Sequence, residues 1–131
     1  MAKVNNSITD ETRQLLELVR QMPMEELERD ILPLRDAIDI VSAKWKVEIL
    51  TGIARGHTRF SELKAFVSEA SEKMLAAGLK QLVNQHLIER TEKFGYYNRA
   101  EYRITEQGIQ LFKIMFQMRD WGKAYRESLR G

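Results

Sequence analysis

The side chains most suited to binding a ligand in this sequence are cations that recur at helical spacing. With about 100° per residue, Lys73, Ala77, Lys80 and Asn84 fall on one side of a predicted helix, and Gln81 lies on its flank. That side carries no bulky apolar side chain, so it could approach another macromolecule closely, and its lysines could neutralise phosphates. On this helix alone, an ordinary solvent-exposed face is the simpler interpretation.

Catalytic and metal chemistry find little support in the sequence. The chain has no cysteine, which removes disulfides, thiolate catalysis, cysteine-based zinc sites and thiol redox switches. Its two histidines lack cysteine partners and leave little for a transition-metal site. No histidine is placed by sequence as the base of a catalytic triad, and there is no GxxxxGK[ST] phosphate loop. We therefore expect no enzyme activity, no metal and no cofactor.

The composition is that of one folded domain, with 131 residues of which 44% are hydrophobic and 31% charged. Residues 1–34 carry 4 basic and 7 acidic side chains, whereas residues 35–131 carry 17 and 12, so the net charge of +2 is unevenly distributed. This fits either chance variation of a solvated surface or a later part that meets an anionic partner. Neither a membrane-spanning stretch nor a secretory signal is present, so we expect a cytoplasmic protein without a membrane partner.

The first part of the chain is predicted to be helical. In an N-terminal arm, residues 1–34, Thr9 or Asp10 can cap a first helix that Pro23 ends, and Pro33 makes a second break. Residues 36–54 follow as one helix, because apolar side chains recur every three or four positions. That stripe consists of Ile38, Val41, Trp45, Ile49 and Ile53.

The next segments predict two helices joined by a tight turn. Gly56 suits the left-handed conformation that ends a helix, and residues 57–60 suit a short strand. Residues 61–67 read as a short helix. Ser68 or Ser71 can then cap a helix to about Gln85. The core stripe of this last helix is Leu75, Leu79, Leu82 and His86.

The hairpin that follows completes a winged helix-turn-helix. Residues 87–93 and 99–104 alternate in polarity and predict two paired strands, and Thr105 can cap a final helix. The fold class is therefore α+β, mostly α, with a core over residues 35–105 and additional N- and C-terminal helices. The hairpin brings its own cations towards the same surface as those of the second helix, which now favours a nucleic acid as the partner.

Several short segments, in their order and spacing, resemble the HxlR-type winged-helix transcriptional regulators, relatives of the MarR regulators. The resemblance implies a DNA-binding regulator whose dimer is assembled from the terminal helices. The segments that carry it are Ala43–Leu50, Arg59–Leu63, Ser71–Leu75, Leu87–Arg90, Glu101–Gly108 and Trp121-Gly122.

Three departures from that family's pattern matter. Many members carry a cysteine just before the first core helix and sense oxidants through it, whereas Ile31-Leu32-Pro33-Leu34 stands here. Sensing through a thiol is therefore excluded by chemistry. The family's usual glycine after the second helix is His86 here, a residue type that tolerates the left-handed conformation. The wing has Phe94–Asn98 where prolines are common, which leaves its reach into the minor groove open.

The leading hypothesis is a sequence-specific DNA-binding regulator that acts as a homodimer on a palindromic operator. Its recognition helix spans about residues 71–85 and its wing about residues 93–99. The predicted contacts at the major groove are Ser71, Lys73, Ala77, Lys80 and Gln81. Contacts to the DNA backbone or from the wing are predicted for Arg59, Lys93 and Arg99.

The alternative is a winged-helix protein-interaction module without a nucleic-acid ligand. Four glutamates near the proposed surface favour it: Glu69, Glu72, Glu89 and Glu92.

Both ends of the chain carry apolar stripes beyond the needs of the core. We expect the arm 1–34 and the terminal helix 106–131 to form the dimer, unless the arm folds back on its own subunit. A small-molecule effector could bind between the core and these helices, although no set of residues marks its site. The predicted interface residues are Leu15, Leu16, Leu18, Val19, Ile114, Met115, Met118 and Trp121.

Overall fold

The computed structural model describes residues 9–95 and 99–131. In this part of the chain, α4 (Phe60–Phe66) and α5 (Glu72–Asn84) are joined by a tight turn and followed directly by a hairpin of β1 (Ile88–Lys93) and β2 (Arg99–Ile104), so the predicted winged helix-turn-helix is confirmed. The predicted fold class, α+β and mostly α, is confirmed as well. The elements are α1 (Asp10–Gln21), α2 (Met24–Ser42), α3 (Lys46–Ala54), α4 (Phe60–Phe66), α5 (Glu72–Asn84), β1 (Ile88–Lys93), β2 (Arg99–Ile104) and α6 (Glu106–Arg130).

The chain divides into two compact units. Ile40–Arg119 form one unit, and the described residues up to Asp39 form the other together with Asp120–Gly131. The first unit has a dense apolar core, whereas α1 in the second unit has no buried residue. The fully buried large side chains, all in the first unit, are Ile49, Leu50, Leu63, Leu75, Leu79, Leu82 and Ile88.

Helix α3 lies at the centre of the first unit and packs against α4, α5 and β2. Its approach to α5 is close, because a Cβ atom added to Gly78 would lie 2.7 Å from the Cδ1 atom of Ile49. On another side of the unit, the backbone N–H of Tyr102 donates to the carbonyl of Thr58 at 2.8 Å. These close contacts hold α5 and the hairpin in fixed positions within the packed core of this unit.

Local signals in the sequence predicted several element ends correctly. Thr9, Ser71 and Thr105 each accept a backbone N–H from the residue three positions later, at 3.1 to 3.2 Å, and so cap α1, α5 and α6. Gly56 and His86 have φ angles of 105° and 62°, the left-handed conformation expected of both. His86 therefore lies beyond the end of α5 and is exposed, which corrects its place in the predicted core stripe.

The predicted break at Pro33 is wrong, because α2 runs through it. A proline inside a helix leaves one carbonyl without its N–H partner. Pro33 is exposed, so water can reach that part of the helix and replace the missing hydrogen bond. The helix consequently crosses the boundary at residue 34 that the sequence suggested for the arm.

The single helix predicted over residues 36–54 is also wrong. Trp45 has a φ angle of 72°, which interrupts the helix between α2 and α3. Apolar side chains keep their spacing across this break, so the stripe looked continuous. Trp45 itself is half-buried and packs against the core as predicted, whereas Ile38 is largely exposed.

The short strand predicted at residues 57–60 is not formed. Thr58 makes one backbone hydrogen bond to β2, and Phe60 already begins α4. The two strands that do form are antiparallel and pair Ile88 with Ile104 at one end and Lys93 with Arg99 at the other. The hairpin thus carries apolar residues at its base and cations at its tip.

Candidate nucleic-acid interface

Helix α5 separates its side chains into a buried and an exposed face. Leu75, Gly78, Leu79 and Leu82 are buried, and their positions i, i+3, i+4 and i+7 put them on one side of the helix. The other side is exposed along its length, and no bulky aliphatic or aromatic side chain lies among its predicted contact residues. These are Lys73, Ala77, Lys80 and Gln81, each of which is exposed as expected.

Ser71 has a structural role that its sequence position also predicted. Its Oγ accepts the N–H of Met74 at 3.1 Å and caps α5. The hydroxyl is exposed, and its hydrogen remains available to donate to an acceptor outside the helix. Ser71 can therefore cap the helix and contact a phosphate with the same group.

Arg59 is exposed and stands immediately before α4. The Glu62 carboxylate accepts the backbone N–H of Arg59 at 3.0 Å and that of Thr58 at 3.3 Å, which closes the start of this helix. The hydrogen bond from Arg59 is the main reason why the pKa of Glu62 lies below its usual value. A carboxylate thus fixes the backbone from which the Arg59 side chain extends.

A groove of about 280 Å³ runs between α5 and the hairpin. Among the eight predicted contact residues, Lys80 alone lines it, and it is joined there by Arg90 of β1. The hydrogen bond from Arg90 to Glu92, 2.6 Å long, is the main reason why the pKa of Arg90 lies above its usual value. The other lining residues are Phe60, Ala76, Val83, Asn84 and Tyr102.

Sequence reasoning placed Asn84 on the same face as the lysines of α5 but named neither Asn84 nor Arg90 as a contact. Arg90 pairs with Tyr102 across the hairpin, and both residues line the groove that α5 also lines. The alternation of Ile88 and Arg90 along β1 carried this signal, because both residues point to one face of the hairpin. The sequence pattern could not show that this face of the hairpin lies beside α5.

The wing cations Lys93 and Arg99 do not stand alone. They lie opposite each other in the hairpin, and both approach the carboxylate of Glu101, at 3.4 Å from the Nζ atom of Lys93 and 4.0 Å from the Nε atom of Arg99. The predicted wing also includes Tyr96, Tyr97 and Asn98, which lie outside the described residues. The structure therefore places the two predicted wing contacts beside an acidic group.

Comparison with known proteins now gives the family. The sequence model described as HxlR-like helix-turn-helix matches residues 40–130, which include α3 to α5, the hairpin and nearly all of α6. This chain belongs to the HxlR-like helix-turn-helix family. It is a DNA-binding transcriptional regulator with a helix-turn-helix, as the resemblance in its sequence segments predicted.

Relatives of this HxlR-like regulator agree with that assignment. The HTH-type transcriptional regulator YdeP of Bacillus subtilis strain 168 is 29% identical over 97 residues, which cover 74% of this chain and 76% of its own. A MarR-family regulator from Enterococcus faecalis V583 shares the fold, with a TM-score of 0.71 at 19% identity over 84% of this chain and 94% of its own.

A third similar protein is the redox regulator HypR in its reduced form. Its TM-score is 0.65 at 27% identity, and the match covers 75% of this chain and 97% of HypR. This HxlR-like regulator has no cysteine anywhere in its sequence.

The predicted dimer residues of this HxlR-like regulator are, with one exception, exposed in the single chain. Met115 is the exception, since it is half-buried and packs against the core of its own chain. Trp121 is 68% exposed and stacks on Tyr125, with 5.0 Å between the ring centroids. The remaining exposed residues are Leu15, Leu16, Leu18, Val19, Ile114 and Met118.

Within residues 9–95 and 99–131, no group of three or more histidine or acidic residues is arranged to hold a metal ion. Of the helices in the same part of the HxlR-like chain, none combines the length and apolar character needed to cross a membrane.

Proposed function

We propose that this regulator binds a palindromic operator as a homodimer and that each subunit inserts α5 into the major groove. The observation that carries the proposal is the division of α5 between a fully buried apolar face and an exposed face with small and polar contact residues. A helix held from behind by the core can present such a face to base edges. Ala77 adds no bulk between the two lysines, which allows close approach.

The lysines and arginines supply the sequence-independent part of the affinity. Lys73 and Lys80 would neutralise phosphates on either side of the groove, and Arg59 would contact the backbone before α4. Gln81 is exposed on α5, and its amide would contact a base edge. Arg90 joins Lys80 in the groove between α5 and the hairpin, and because it is already paired with Glu92 at 2.6 Å, we add it as a weaker backbone contact than Lys80.

The homodimer would be built from α1 and the outer part of α6. Most of the apolar side chains predicted for that interface are exposed in the single chain, and a symmetric pair of subunits matches two related half-sites about 34 Å apart. Light scattering should give about twice the chain mass of 15.3 kDa at micromolar concentration. A protein that stays monomeric and still binds a palindrome without cooperativity would contradict this part of the proposal.

The DNA surface can be tested by fluorescence anisotropy with a random duplex at several salt concentrations. Parent affinity should fall steeply with salt, and Lys73→Ala/Lys80→Ala should reduce the slope of log affinity against log salt by about two. The matched control Arg29→Ala/Arg35→Ala removes the same charge from exposed positions on α2 and should leave the slope unchanged. Equal losses in both variants would show that the assigned surface is wrong.

The protein-interaction module makes a different prediction in the same experiment. Such a module would show no salt-dependent affinity for the duplex and no retention on a DNA column at low salt. For a DNA-binding regulator, selection from a pool of random duplexes should recover two inverted half-sites. The relatives of this chain are regulators of transcription, a non-enzymatic role, and the proposal assigns the chain no catalytic reaction.

A further inference from the structure

Glu101 is a charged residue whose side chain is buried, at 8% exposure, beside the exposed wing. Its neighbours Lys93 and Arg99 are 55% and 42% exposed, so their charged ends reach the surface from which DNA would be contacted. One carboxylate therefore faces two cations that the proposed function assigns to phosphate.

The register of the hairpin produces this cluster. Lys93 pairs with Arg99 and Thr91 with Glu101, so the four residues share one face of the two strands. The hydroxyl of Thr91 donates to the backbone carbonyl of Glu101, which fixes that strand position further. Because a buried carboxylate is stable only when its charge is balanced, Lys93 and Arg99 serve as its counterions.

The same two cations cannot give their full charge to DNA. With Glu101 between them, the three side chains carry a net charge of +1 rather than the +2 of the cations alone. Lys73 and Lys80 on α5 differ, since the structure records no ion pair between either of them and a described residue. A lysine of the wing is therefore worth less to a phosphate than a lysine of α5.

We propose that Glu101 competes with DNA phosphates for Lys93 and Arg99 and thereby lowers the sequence-independent affinity of the wing. This inference rests on the proposed DNA-binding function and adds a residue that limits it. The physical consequence is useful to a regulator, because random sites far outnumber operators and a weaker wing leaves more protein free to reach them.

The test compares Glu101→Gln with Glu89→Gln by anisotropy on a random duplex at several salt concentrations. Glu89 is exposed in the same hairpin, opposite Arg103, so its substitution removes the same charge without freeing Lys93 or Arg99. Glu101→Gln should steepen the salt slope by about one, which at about 0.1 M salt raises the affinity about eight-fold. Glu89→Gln should change the slope by much less.

A second comparison does not depend on the stability of Glu101→Gln. If Glu101 cancels one of its two neighbouring cations, then Lys93→Ala/Arg99→Ala should reduce the salt slope by about one, whereas Lys73→Ala/Lys80→Ala should reduce it by about two. Thermal unfolding curves would establish that each variant is folded before it is titrated. Equal slopes for these two alanine variants would overturn the inference.

The two proposals fail in distinguishable ways. A parent protein without salt-dependent affinity for the duplex would contradict the DNA-binding function itself. A parent that binds normally, with Glu101→Gln no tighter than Glu89→Gln, would contradict only the competition. Weaker binding and a shallower slope in Glu101→Gln would show that Glu101 instead positions the two cations for phosphate.

Discussion

Helices α1 and α5 have similar lengths and similarly amphipathic sequences, but their apolar faces have opposite surroundings. In α5, the apolar face is buried against the core of residues 40–119, with Leu79 and Leu82 almost inaccessible to solvent. In α1, no residue is buried, and Leu15 and Leu18 are 60% and 59% exposed. The polar side of α5 is thus the side available to a partner, whereas in α1 it is the apolar side.

The difference teaches that an amphipathic pattern predicts a helix but not what covers its apolar face. For α5 the covering elements come from the same chain, so its outward side can be specialised for DNA. For α1 a cover must come from elsewhere, because a short isolated helix is only marginally stable in water. A second copy of the chain is the cover that the proposed homodimer supplies.

The largest expected difference between the two helices is the loss of stability when one of their leucines is truncated to alanine. Leu79→Ala removes a fully buried side chain and should lower the free energy of unfolding by about 2–5 kcal/mol. Leu16→Ala acts on a residue that is 43% exposed in the single chain, so it should cost less than about 1 kcal/mol when measured on dilute monomer. Urea unfolding of both variants measures this difference. Equal losses would show that α1 is as well covered within its own chain as α5.

Polar substitution on α1 should act on the dimer instead of the fold. Leu15→Ser/Leu18→Ser removes apolar surface that the partner would bury, so the dissociation constant of the dimer should rise by at least about ten-fold. Sedimentation velocity over a range of concentrations measures it. The control Arg13→Ser/Gln14→Ser changes two exposed polar residues of α1 and should leave the dimer intact. If both double variants weaken it equally, loss of helix propensity rather than lost contact is the cause.

Two substitutions of Ser71, at the start of α5, can distinguish its contribution to stability from its contribution to DNA binding. Ser71→Ala removes the cap and should lower stability by about 1 kcal/mol. Ser71→Asp restores a capping oxygen and should unfold close to the parent, yet its negative charge should repel phosphate and weaken DNA binding. Thermal unfolding and anisotropy together provide the readout. An aspartate variant with parental affinity would place residue 71 away from the DNA backbone.

The features that the sequence predicted are those decided by a few neighbouring residues. The cap at Ser71 and the leucine spacing of α5 need no knowledge of the rest of the fold. The break at Trp45, where φ is 72°, was missed because the apolar side chains on both sides keep helical spacing across it, so the residue pattern contains no signal of the interruption. The pairing of Lys93 with Glu101 was missed for a related reason. It depends on the register between two strands and on the elements that bury Glu101, neither of which a residue pattern contains.

The smallest expected effect concerns the caps themselves, which differ in their response to acid. Thr9 caps α1 with a hydroxyl that does not titrate, whereas Glu62 closes the start of α4 with a carboxylate. The pKa of Glu62 is lowered in the folded protein from its ordinary value of 4.5, chiefly by the hydrogen bond from Arg59. Because its pKa is lower in the folded protein than in the unfolded chain, the ionised Glu62 carboxylate stabilises the fold. This stabilisation is complete above pH 4.5 and is lost as the pH falls through the pKa of the folded state.

Glu62→Gln should therefore be less stable than the parent at neutral pH. The difference between the two proteins should shrink as the pH falls below 4.5 and vanish once Glu62 is protonated in the folded state. Parallel urea unfolding of both proteins across this range measures the difference directly, and Thr9→Ala serves as the control, because its cost should not depend on the charge of its own group. A Glu62→Gln difference that stayed constant with pH would mean that ionisation of Glu62 does not contribute to closing the start of α4. The start of the helix-turn-helix would then owe nothing to charge.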